Sequence, residues 1–314
     1  MQHIIELADK LQEIALPIYI AGHVNPDDDS YGSTLCLGHL LSQLGKETYV
    51  LLEDYDRDGL RIHNVDTNIV NTVSHDKYVF IALDLNETYR LGNFEDFYLN
   101  AEYKINIDHH QGNNSKADLI ISMTEVSCSC EIIYNLIVKM NKSILNETIA
   151  KSLYTGILTD TKSFSKRLSP YTLSIVQDLI NYGIDYDEII RNTMNRRTLY
   201  QFQAFAKLIQ DIHYDDYHYA IIDMSLPEYK DLTHNEIVKI LAEEIRKLEN
   251  VDIFMLLIKY PNKITGKIMS NISKNAHIIA KYFGGGGHKT EGGFTTNMPI
   301  EEILKETKQF VKIN

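Results

Sequence analysis

Five short polar segments, widely spaced along the chain, carry residue types that could hold two metal ions and a phosphate group. These segments are His23–Asp29 (His-Val-Asn-Pro-Asp-Asp-Asp), Asp84, Asp108–His110, Asp160 and Gly284–His288. Carboxylate and imidazole groups bind divalent cations, and a pair of such cations suits the hydrolysis of phosphoesters. Three of the segments follow stretches with the pattern of buried strands, where an α/β fold presents side chains to a ligand. Together they indicate a metal-assisted hydrolytic site, which no single segment would establish.

The first segment places two carboxylates and an imidazole close together in sequence. Asp27 and Asp29 are two residues apart, so on extended or loop backbone they can point to different sides and bind two different metal ions. Pro26 stiffens the turn. His23, four residues before Asp27, can return to the same metal. An Asp-rich surface turn beside an unrelated histidine is the alternative interpretation.

Two isolated aspartates follow apolar stretches. Asp84 comes directly after the predicted strand Val79–Leu83, where an ionised group needs a partner and could bridge two cations roughly 3.5 to 4 Å apart. Asp160 lies near the end of a helix predicted to begin at about Glu147. For each, the alternative is a carboxylate that caps a helix, so neither residue identifies a metal site without the others.

The triplet Asp108–His110 sets two imidazoles beside a carboxylate, directly after an apolar strand that ends at Ile107. One histidine can bind metal while a carboxylate orients its other ring nitrogen. The next histidine is then free to hold a phosphate oxygen or to give a proton to the leaving group. The alternative is a chance polar turn that contains two histidines.

The glycines Gly284, Gly285, Gly286 and Gly287, followed by His288, form the fifth segment. Four glycines allow backbone amides to approach a ligand phosphate, and His288 adds a side-chain contact. A helix stop would need only one glycine. Lysines crowd the same region, although solvated surface positions explain most of them: Lys267, Lys274, Lys281 and Lys289.

The hydrophobic pattern predicts an α/β protein. In the first part of the chain, strands alternate with helices, and fully apolar runs indicate strands buried on both faces, so we predict a doubly wound, mostly parallel sheet. The predicted strands are Ile18–Ala21, Thr48–Leu52, Tyr78–Leu85 and Tyr103–Ile107. The predicted helices are one capped by Ser30 and Ser33 and ended by Gly45, and others at about Cys130–Met140, Glu147–Leu158, Thr172–Tyr182 and Tyr186–Met194.

The length of 314 residues exceeds one typical core, so we predict two domains. After a helical stretch at Thr198–Ile209, the pattern favours a smaller C-terminal α/β domain with a mixed sheet. Its predicted strands are Tyr219–Asp223, Ile253–Lys259 and Thr265–Ser270, with a helix near Asn235–Leu248. We expect a metal-binding catalytic domain over residues 1–190, a helical connector over 191–212 and a substrate-binding domain over 213–314.

Composition and charge narrow the classes of function. The formal net charge of −12 argues against long duplex nucleic acid as a partner, but not against a short anionic substrate whose charge bound cations would offset. No apolar run is long enough to span a membrane, and no signal segment precedes the first helix, so we expect a cytoplasmic protein. Three cysteines, Cys36, Cys128 and Cys130, are expected to be reduced and buried.

In this order and spacing, the five segments resemble the DHH/DHHA1 phosphoesterase family, named for a triplet like Asp108–His110, over nearly the whole chain. The chain is similar in length to the branch of nanoRNases (oligoribonucleases) and pAp phosphatases. The resemblance implies that His23 and Asp27 bind one manganese ion, that Asp29, His109 and Asp160 bind a second, and that Asp84 bridges both. It further implies that His110 contacts the phosphate, that Asp108 orients the histidine pair, and that Gly284, Gly285, Gly286, Gly287 and His288 bind substrate.

Three positions depart from the family pattern. Asp28 stands where the family has a small residue between the two aspartates, and it adds negative charge next to the metals. Glu291 replaces another small residue after the glycines. Near Ser270, related hydrolases carry an arginine beside a serine, and the arginine is missing here. Serine cannot replace a guanidinium as a two-pronged phosphate ligand, so these departures bear on the choice of substrate.

The resemblance and the ligand chemistry together predict a manganese-dependent phosphoesterase. Two histidines and four aspartates without a thiolate favour two Mn²⁺ ions, with Mg²⁺ or another divalent cation as alternatives. Hydroxide held between two cations would attack phosphorus in a small nucleotide or short single-stranded RNA: 3'-phosphoadenosine 5'-phosphate (pAp), the dinucleotide pApA, or oligomers of a few residues. A pyrophosphatase or polyphosphatase, and a nucleotide-binding regulator with weak turnover, are the alternatives. Homodimerisation is left open.

Overall fold

The structure is a computed structural model that describes residues 2–52, 62–110, 112–194, 198–227, 229, 244–245, 248–249, 251–270, 276–288 and 290–313. The chain divides into two compact units, residues 1–196 and 197–314. Each unit is built around its own six-stranded sheet.

The sheet of the first unit is parallel throughout the described strands. Its strands are β1 (Ile18–Ala21), β2 (Thr48–Leu51), β3 (Ile69–Val70), β4 (Val79–Leu83), β5 (Tyr103–Asp108) and β6 (Leu119–Ser122), in the order β3-β2-β1-β4-β5-β6. This order runs outward in both directions from the adjacent pair β1 and β4, which makes their carboxyl ends the switch point of a doubly wound sheet. The predicted fold class is confirmed.

Burial on both faces explains why the apolar runs form central strands. Alternate residues of a strand point to opposite sides, so Ile81 joins the core under one set of helices while its neighbours Phe80 and Ala82 join the core on the other face. All five residues of β4 are buried. Burying a side chain as large as Phe80 contributes about 1.5–3 kcal/mol, so the sheet is held chiefly by apolar packing.

Helices surround this sheet. They are α1 (Gln2–Glu13), α2 (Asp28–Gln43), α3 (Glu95–Leu99), α4 (Ser129–Asn141), α5 (Glu147–Asp160), α6 (Pro170–Ile180) and α7 (Tyr186–Thr193), with 3-10 turns at Thr88–Phe94 and Lys142–Ile144. The predicted cap of α2 was wrong. Asp27 caps this helix instead, because its carboxylate accepts the amide of Ser30 at 3.0 Å. The helix therefore begins two residues before Ser30.

Helices α2 and α5 approach closely through glycines that face Cys130. A Cβ atom on Gly32 would lie 2.8 Å from Cys130 Sγ, and a Cβ atom on Gly156 would lie 2.4 Å from it. Cys130 is fully buried and free, as are Cys36 and Cys128. The thiol of Cys130 thus fills the space that side chains at the two glycine positions would need.

The second unit has a mixed sheet, as predicted. Its strands are β7 (His213–Tyr214), β8 (His218–Asp223), β9 (Ile253–Tyr260), β10 (Lys263–Ser270), β11 (Gly286–His288) and β12 (Glu291–Thr296), in the order β11-β12-β10-β9-β8-β7. Strands β8 and β9 are parallel, and the other neighbours are antiparallel.

In the described part of this unit, three helices accompany the sheet: α8 (Leu199–Gln210), α9 (Ala276–Tyr282) and α10 (Ile300–Ile313). The helix predicted near Asn235–Leu248 lies largely outside the described residues. Assigning residues 191–212 to a separate connector stays a prediction. Among the described residues, no helix combines the length and apolar composition that crossing a bilayer requires.

Candidate metal centre

Three neighbouring strands end at one edge of the first sheet, and a polar residue follows each of them. His23 lies just beyond β1, Asp84 comes directly after β4, and Asp108 is the last residue of β5. Asp84 has a φ of 60°, a left-handed conformation that is uncommon outside glycine and asparagine. The parallel sheet therefore gathers residues that are far apart in sequence at its switch point.

Helix ends supply the remaining carboxylates. Asp27 is the cap of α2, Asp29 lies in its first turn, and Asp160 is the last residue of α5. The expectation of loop backbone at Asp29 was wrong, because the helix begins at Asp28. Even so, Asp27 and Asp29 face different groups of ligands, since one precedes the first helical turn and the other lies inside it.

Three overlapping groups of candidate ligands form among the described residues at this edge: His23, Asp27 and Asp84; Asp29, His109 and Asp160; and Asp84 with Asp108, His109 and His110. Asp84 lies between the first two groups. His23 Nε2 is 3.8 Å from Asp27 Oδ1 and 3.5 Å from Asp84 Oδ2. His109 Nε2 is 3.4 Å from the other oxygen of Asp84, Oδ1. The same His109 atom is 3.9 Å from Asp29 Oδ2 and 3.7 Å from Asp160 Oδ2. Each group offers ligand atoms that all lie within 4.8 Å of one another.

The triplet after β5 separates into two roles. His109 points into the second ligand group, whereas Asp108 Oδ1 lies 2.7 Å from Nδ1 of His110. Asp108 is fully buried, and the side chain of His110 is 24 % exposed. Asp108 thus fixes the ring of the more accessible histidine, His110, rather than that of His109.

Buried amides hold one carboxylate in place. Asp29 accepts the amides of Ser129 and Cys130, each at 2.8 Å and each on a different oxygen, at the first turn of α4. The hydroxyl of Ser129 also donates to Asp84 Oδ1 at 3.1 Å. A helix N-terminus favours negative charge, so α4 stabilises the buried carboxylate of Asp29. Ser129 was missed by the sequence analysis, although it borders the predicted helix Cys130–Met140.

The charges of the cluster shift its ionisation. Burial disfavours the charged form of His23, but hydrogen bonds to Asp27 and Asp84 outweigh it and raise the pKa of His23 to about 10. Burial is likewise outweighed at His109, where Asp84 and Asp29 raise the pKa to about 9. Burial raises the pKa of Asp29, assisted by the neighbouring charge of Asp84. The adjacent carboxylates of Asp27, Asp29, Asp84 and Asp160 repel one another, so positive charge close by favours their ionised forms.

The donor set fits divalent cations. The ring nitrogen Nδ1 of His23 donates to the carbonyl of Val24 at 2.9 Å, which leaves Nε2 as the nitrogen that faces Asp27 and Asp84. The buried Oδ2 atom of Asp108 has no hydrogen-bond partner among the described residues. Imidazole and carboxylate donors without thiolates suit manganese and magnesium better than a structural zinc site.

Asp28, which the sequence analysis treated as added charge beside the metals, has a partner of its own. Its Oδ1 atom lies 3.2 Å from Nε2 of His63, whose Nδ1 lies 2.8 Å from the hydroxyl of Ser152 on α5. His63 is fully buried and stacks on Tyr31, with ring centroids 5.9 Å apart. No spacing in the sequence indicates this contact, because Asp28, His63 and Ser152 meet only through the tertiary fold.

An arginine that the sequence analysis did not consider borders the second ligand group. Arg167 Nη2 donates to Asp160 Oδ2 at 2.6 Å, and Nη1 lies 3.3 Å from Nδ1 of His109. It is the nearest cationic side chain that the described contacts give to Asp160. In the sequence, its position seven residues after the predicted ligand Asp160 is the signal that could have indicated this contact.

The glycine segment of the second unit is partly an edge strand. Gly286 and Gly287 belong to β11, which pairs with Gly293 and Gly292 of β12. A Cβ atom on Gly285 would lie 2.0 Å from the carbonyl oxygen of Gly293, so packing already requires glycine there, whereas Gly286 meets nothing within 4 Å. The substrate-binding role of Gly284, Gly285, Gly286, Gly287 and His288 stays a prediction.

The two other departures from the family pattern also have structural settings. Glu291 Oε1 lies 2.8 Å from Nζ of Lys267 on the neighbouring strand, which neutralises one lysine of this region. Ser270 is buried at the end of β10, where its amide donates to the carbonyl of Thr290 at 2.9 Å. Neither side chain supplies a guanidinium.

Comparisons with known proteins cover both units. The sequence model of the DHH family, N-terminal domain, matches residues 17–157, and the model of the DHHA1 domain matches residues 216–313. A bifunctional oligoribonuclease and PAP phosphatase, NrnA, of Thermus thermophilus is 29% identical over 96% of this chain and 93% of its own length.

Two solved structures share the fold. An exopolyphosphatase-related protein from Bacteroides fragilis superimposes with a TM-score of 0.87 and 22% identity, over 99% of this chain and 96% of that one. RecJ from Thermus thermophilus, solved in complex with Mn²⁺, has a TM-score of 0.56 and 14% identity over 100% of this chain and 55% of its own.

Proposed function

Because the chain belongs to the DHH/DHHA1 family of phosphoesterases, whose members are hydrolases, we propose that it hydrolyses short nucleotide substrates. We further propose that two divalent cations assist this hydrolysis. The expected substrates are pAp, pApA and RNA oligomers of a few residues. The expected cation is Mn²⁺, with Mg²⁺ as an alternative.

The observation that carries this proposal is the position of Asp84. One of its oxygens lies 3.5 Å from His23 Nε2, and the other lies 3.4 Å from His109 Nε2. A carboxylate shared in this way by two ligand groups suits a pair of cations. In our proposal His23, Asp27 and Asp84 would hold one cation, and Asp29, His109, Asp160 and Asp84 would hold the other. Two cations bound there would lower the pKa of water and would compensate the charge on the phosphoryl oxygens.

The chain's own residues supply orientation and proton transfer. Asp108 holds Nδ1 of His110 at 2.7 Å, which leaves Nε2 of this partly exposed ring to meet a substrate oxygen. A histidine held by a carboxylate is well suited to contact a phosphate or to protonate the leaving group. We therefore assign His110 to the substrate and Asp108 to its positioning. The glycines Gly284–Gly287 and His288 are proposed as backbone and side-chain contacts to the nucleotide.

The substrate class is supported by the relative from Thermus thermophilus. Its name describes an oligoribonuclease and PAP phosphatase, and the similarity covers 93% of its length and 96% of this chain. Manganese is supported by the ligand chemistry and by the Mn²⁺ complex of RecJ, which shares the fold. Two further statements stay predictions from the sequence: that the protein is cytoplasmic, and that long duplex nucleic acid is not its partner. A homodimer stays open.

A hydrolysis panel tests the function. The purified protein, stripped of metal and then supplied with Mn²⁺ or Mg²⁺, is incubated with pAp, pApA, pyrophosphate, cyclic dinucleotides and RNA of two to five residues. We expect release of phosphate from pAp, of mononucleotide from pApA and RNA, or of both. Rapid turnover of pyrophosphate with inert nucleotides would contradict the proposal.

A matched pair of variants locates the activity. Asp84→Asn should lower the rate by several orders of magnitude, because it removes the charge that faces both His23 and His109. Asp76→Asn, an exposed aspartate outside the cluster, is the control and should retain the wild-type rate. Full activity of Asp84→Asn would exclude the proposed centre.

A further inference from the structure

The exposed fractions of the side chains show which members of the ligand cluster are accessible. Asp29, Asp84 and His109 are almost inaccessible, whereas Asp27 is 63 % exposed and Asp160 is 23 % exposed. The side chain of Arg167 is 45 % exposed, and it borders the same rim through Asp160. Among these described side chains, the rim formed by Asp27, Asp160 and Arg167 is therefore the accessible one for a substrate phosphate.

Two of the three side chains named at this rim, Asp27 and Asp160, carry the same sign of charge as a phosphate. Asp27 and Asp160 are carboxylates and repel an anion. Arg167 is permanently cationic, and its planar guanidinium can donate two parallel hydrogen bonds to phosphate oxygens. It lies close enough to the candidate ligands to contact both Asp160, at 2.6 Å, and His109, at 3.3 Å.

The loop that carries Arg167 has a specified, uncommon conformation. It is built around Thr161, whose carbonyl accepts the amides of Ser165 and Lys166, each at 2.9 Å, and whose hydroxyl accepts the amide of Phe164 at 3.1 Å. Four non-glycine residues of the loop have positive φ angles: Lys162, Ser163, Phe164 and Arg167. Such conformations persist only where the surroundings enforce them, and they concentrate at functional sites. The arginine is therefore presented by a preformed turn directly after a candidate ligand.

We propose that Arg167 binds the phosphoryl group of the substrate, an assignment that rests on the function proposed above. Arg167 neutralises the carboxylate of Asp160 in the described structure. A cation held by Asp160 and His109 would compensate that carboxylate instead, and the guanidinium of Arg167 could then donate hydrogen bonds to a second anion. Arg167 then serves two anions in turn: Asp160 without cations, and the nucleotide phosphate with them.

Binding of AMP, the expected product, tests the assignment without requiring turnover. The Mn²⁺-loaded protein and its Arg167→Gln and Arg167→Lys variants are titrated with AMP by calorimetry, and Mn²⁺ affinity is measured separately by electron paramagnetic resonance. Arg167→Gln should weaken AMP binding about 10- to 100-fold, because two charge-assisted hydrogen bonds are lost. Arg167→Lys should bind AMP more tightly than Arg167→Gln but less tightly than the wild type, because lysine keeps the positive charge but lacks the two parallel donors of a guanidinium.

Lys166→Gln is the matched control, since it removes a neighbouring exposed cation from the same loop and should change AMP affinity by no more than about twofold. If pAp or pApA is hydrolysed, KM should rise in parallel with the AMP dissociation constant in Arg167→Gln.

The outcomes separate this inference from the proposed function. Unchanged AMP affinity in Arg167→Gln, with tighter Mn²⁺ binding, would overturn the inference, because Arg167 would then only neutralise Asp160. Loss of Mn²⁺ binding in this variant would also overturn it, since the arginine would then be a support of the metal centre. If wild-type protein hydrolyses none of the nucleotides but Arg167→Gln still weakens AMP binding, the function fails and the assignment of Arg167 stands.

Discussion

Nε2 of His63 lies 3.2 Å from Oδ1 of Asp28, and through its other nitrogen His63 reaches the hydroxyl of Ser152. This buried histidine joins α2, which carries Asp29, to α5, which ends at Asp160. Two of the candidate ligands thus lie on helices that share one polar contact. Asp28, the additional aspartate of the segment His23–Asp29, points towards His63, so it stabilises the arrangement of α2 and α5.

The pair should be energetically coupled. Replacing one partner leaves the other buried or half-buried polar group without its hydrogen bond, which costs about 1–3 kcal/mol, whereas removing both costs less than the sum. We expect Asp28→Ala and His63→Gln to show a coupling free energy of at least about 0.5 kcal/mol. Urea denaturation of the metal-free single and double variants measures it. Strictly additive losses would show that the 3.2 Å contact contributes nothing.

A methyl group at Gly156 should disturb both packing and metal binding. Its Cβ atom would lie 2.4 Å from Cys130 Sγ and 3.1 Å from the Cα atom of Asp29. Overpacking of this kind costs about 1–3 kcal/mol, and the displacement here would reach a candidate ligand. We expect Gly156→Ala to lower both the midpoint of thermal unfolding and the Mn²⁺ affinity.

Relief of the same clash provides the control. In a Cys130→Ala background the thiol is absent, so Gly156→Ala should be less destabilising there than in the wild-type chain. An equal loss in both backgrounds would mean that the contact with Cys130 is not the cause.

The stability of the metal-free protein should fall as the pH rises from about 7 to 10. The folded chain raises the pKa of His23 to about 10 and that of His109 to about 9, against an ordinary value of 6.5. Both contributions are fully present below pH 6.5 and are lost as the pH passes through these raised values. Each proton changes the unfolding free energy by about 1.4 kcal/mol per pH unit within that window.

Melting curves in EDTA between pH 6.5 and 10 measure this dependence, with His23→Gln as the comparison. The slope of the variant should be shallower, because one of the two protons is missing. Excess Mn²⁺ should remove the dependence in the wild type, since ligating imidazoles are neutral and metal affinity rises with pH. Parallel slopes for the wild type and His23→Gln would contradict the assignment of the raised pKa to His23.

The hydroxyl of Ser129 should support the centre without belonging to it. It donates to Asp84 Oδ1 at 3.1 Å, and comparable outer contacts to metal ligands typically change affinity 10- to 100-fold. We expect Ser129→Ala to weaken Mn²⁺ binding by about tenfold while its backbone amide still holds Asp29. Ser143→Ala, at an exposed serine, is the control. Equal Mn²⁺ affinities would show that the hydroxyl has no such role.

The sequence predicted the parts of the fold whose patterns are local. Strands β1, β4 and β5 are continuous apolar runs, and the polar residues that follow them could be expected at one sheet edge. The strands that were missed include β3 and β6, because two residues, or the four of Leu119–Ser122, are too few to show a strand pattern in the sequence. The contacts of His63 and Arg167 were missed for another reason, since both depend on tertiary proximity that no spacing in the sequence reveals.

The switch point also determines how the centre must form. His23 and Asp160 are separated by most of the first unit, so bringing them together requires closure of a long loop and pairing of β1 with β4. No fragment that lacks either His23 or Asp160 can assemble the full ligand set. Binding of a cation to the centre therefore reports that the whole unit has folded. The free energy of cation binding adds to the free energy of unfolding of this unit.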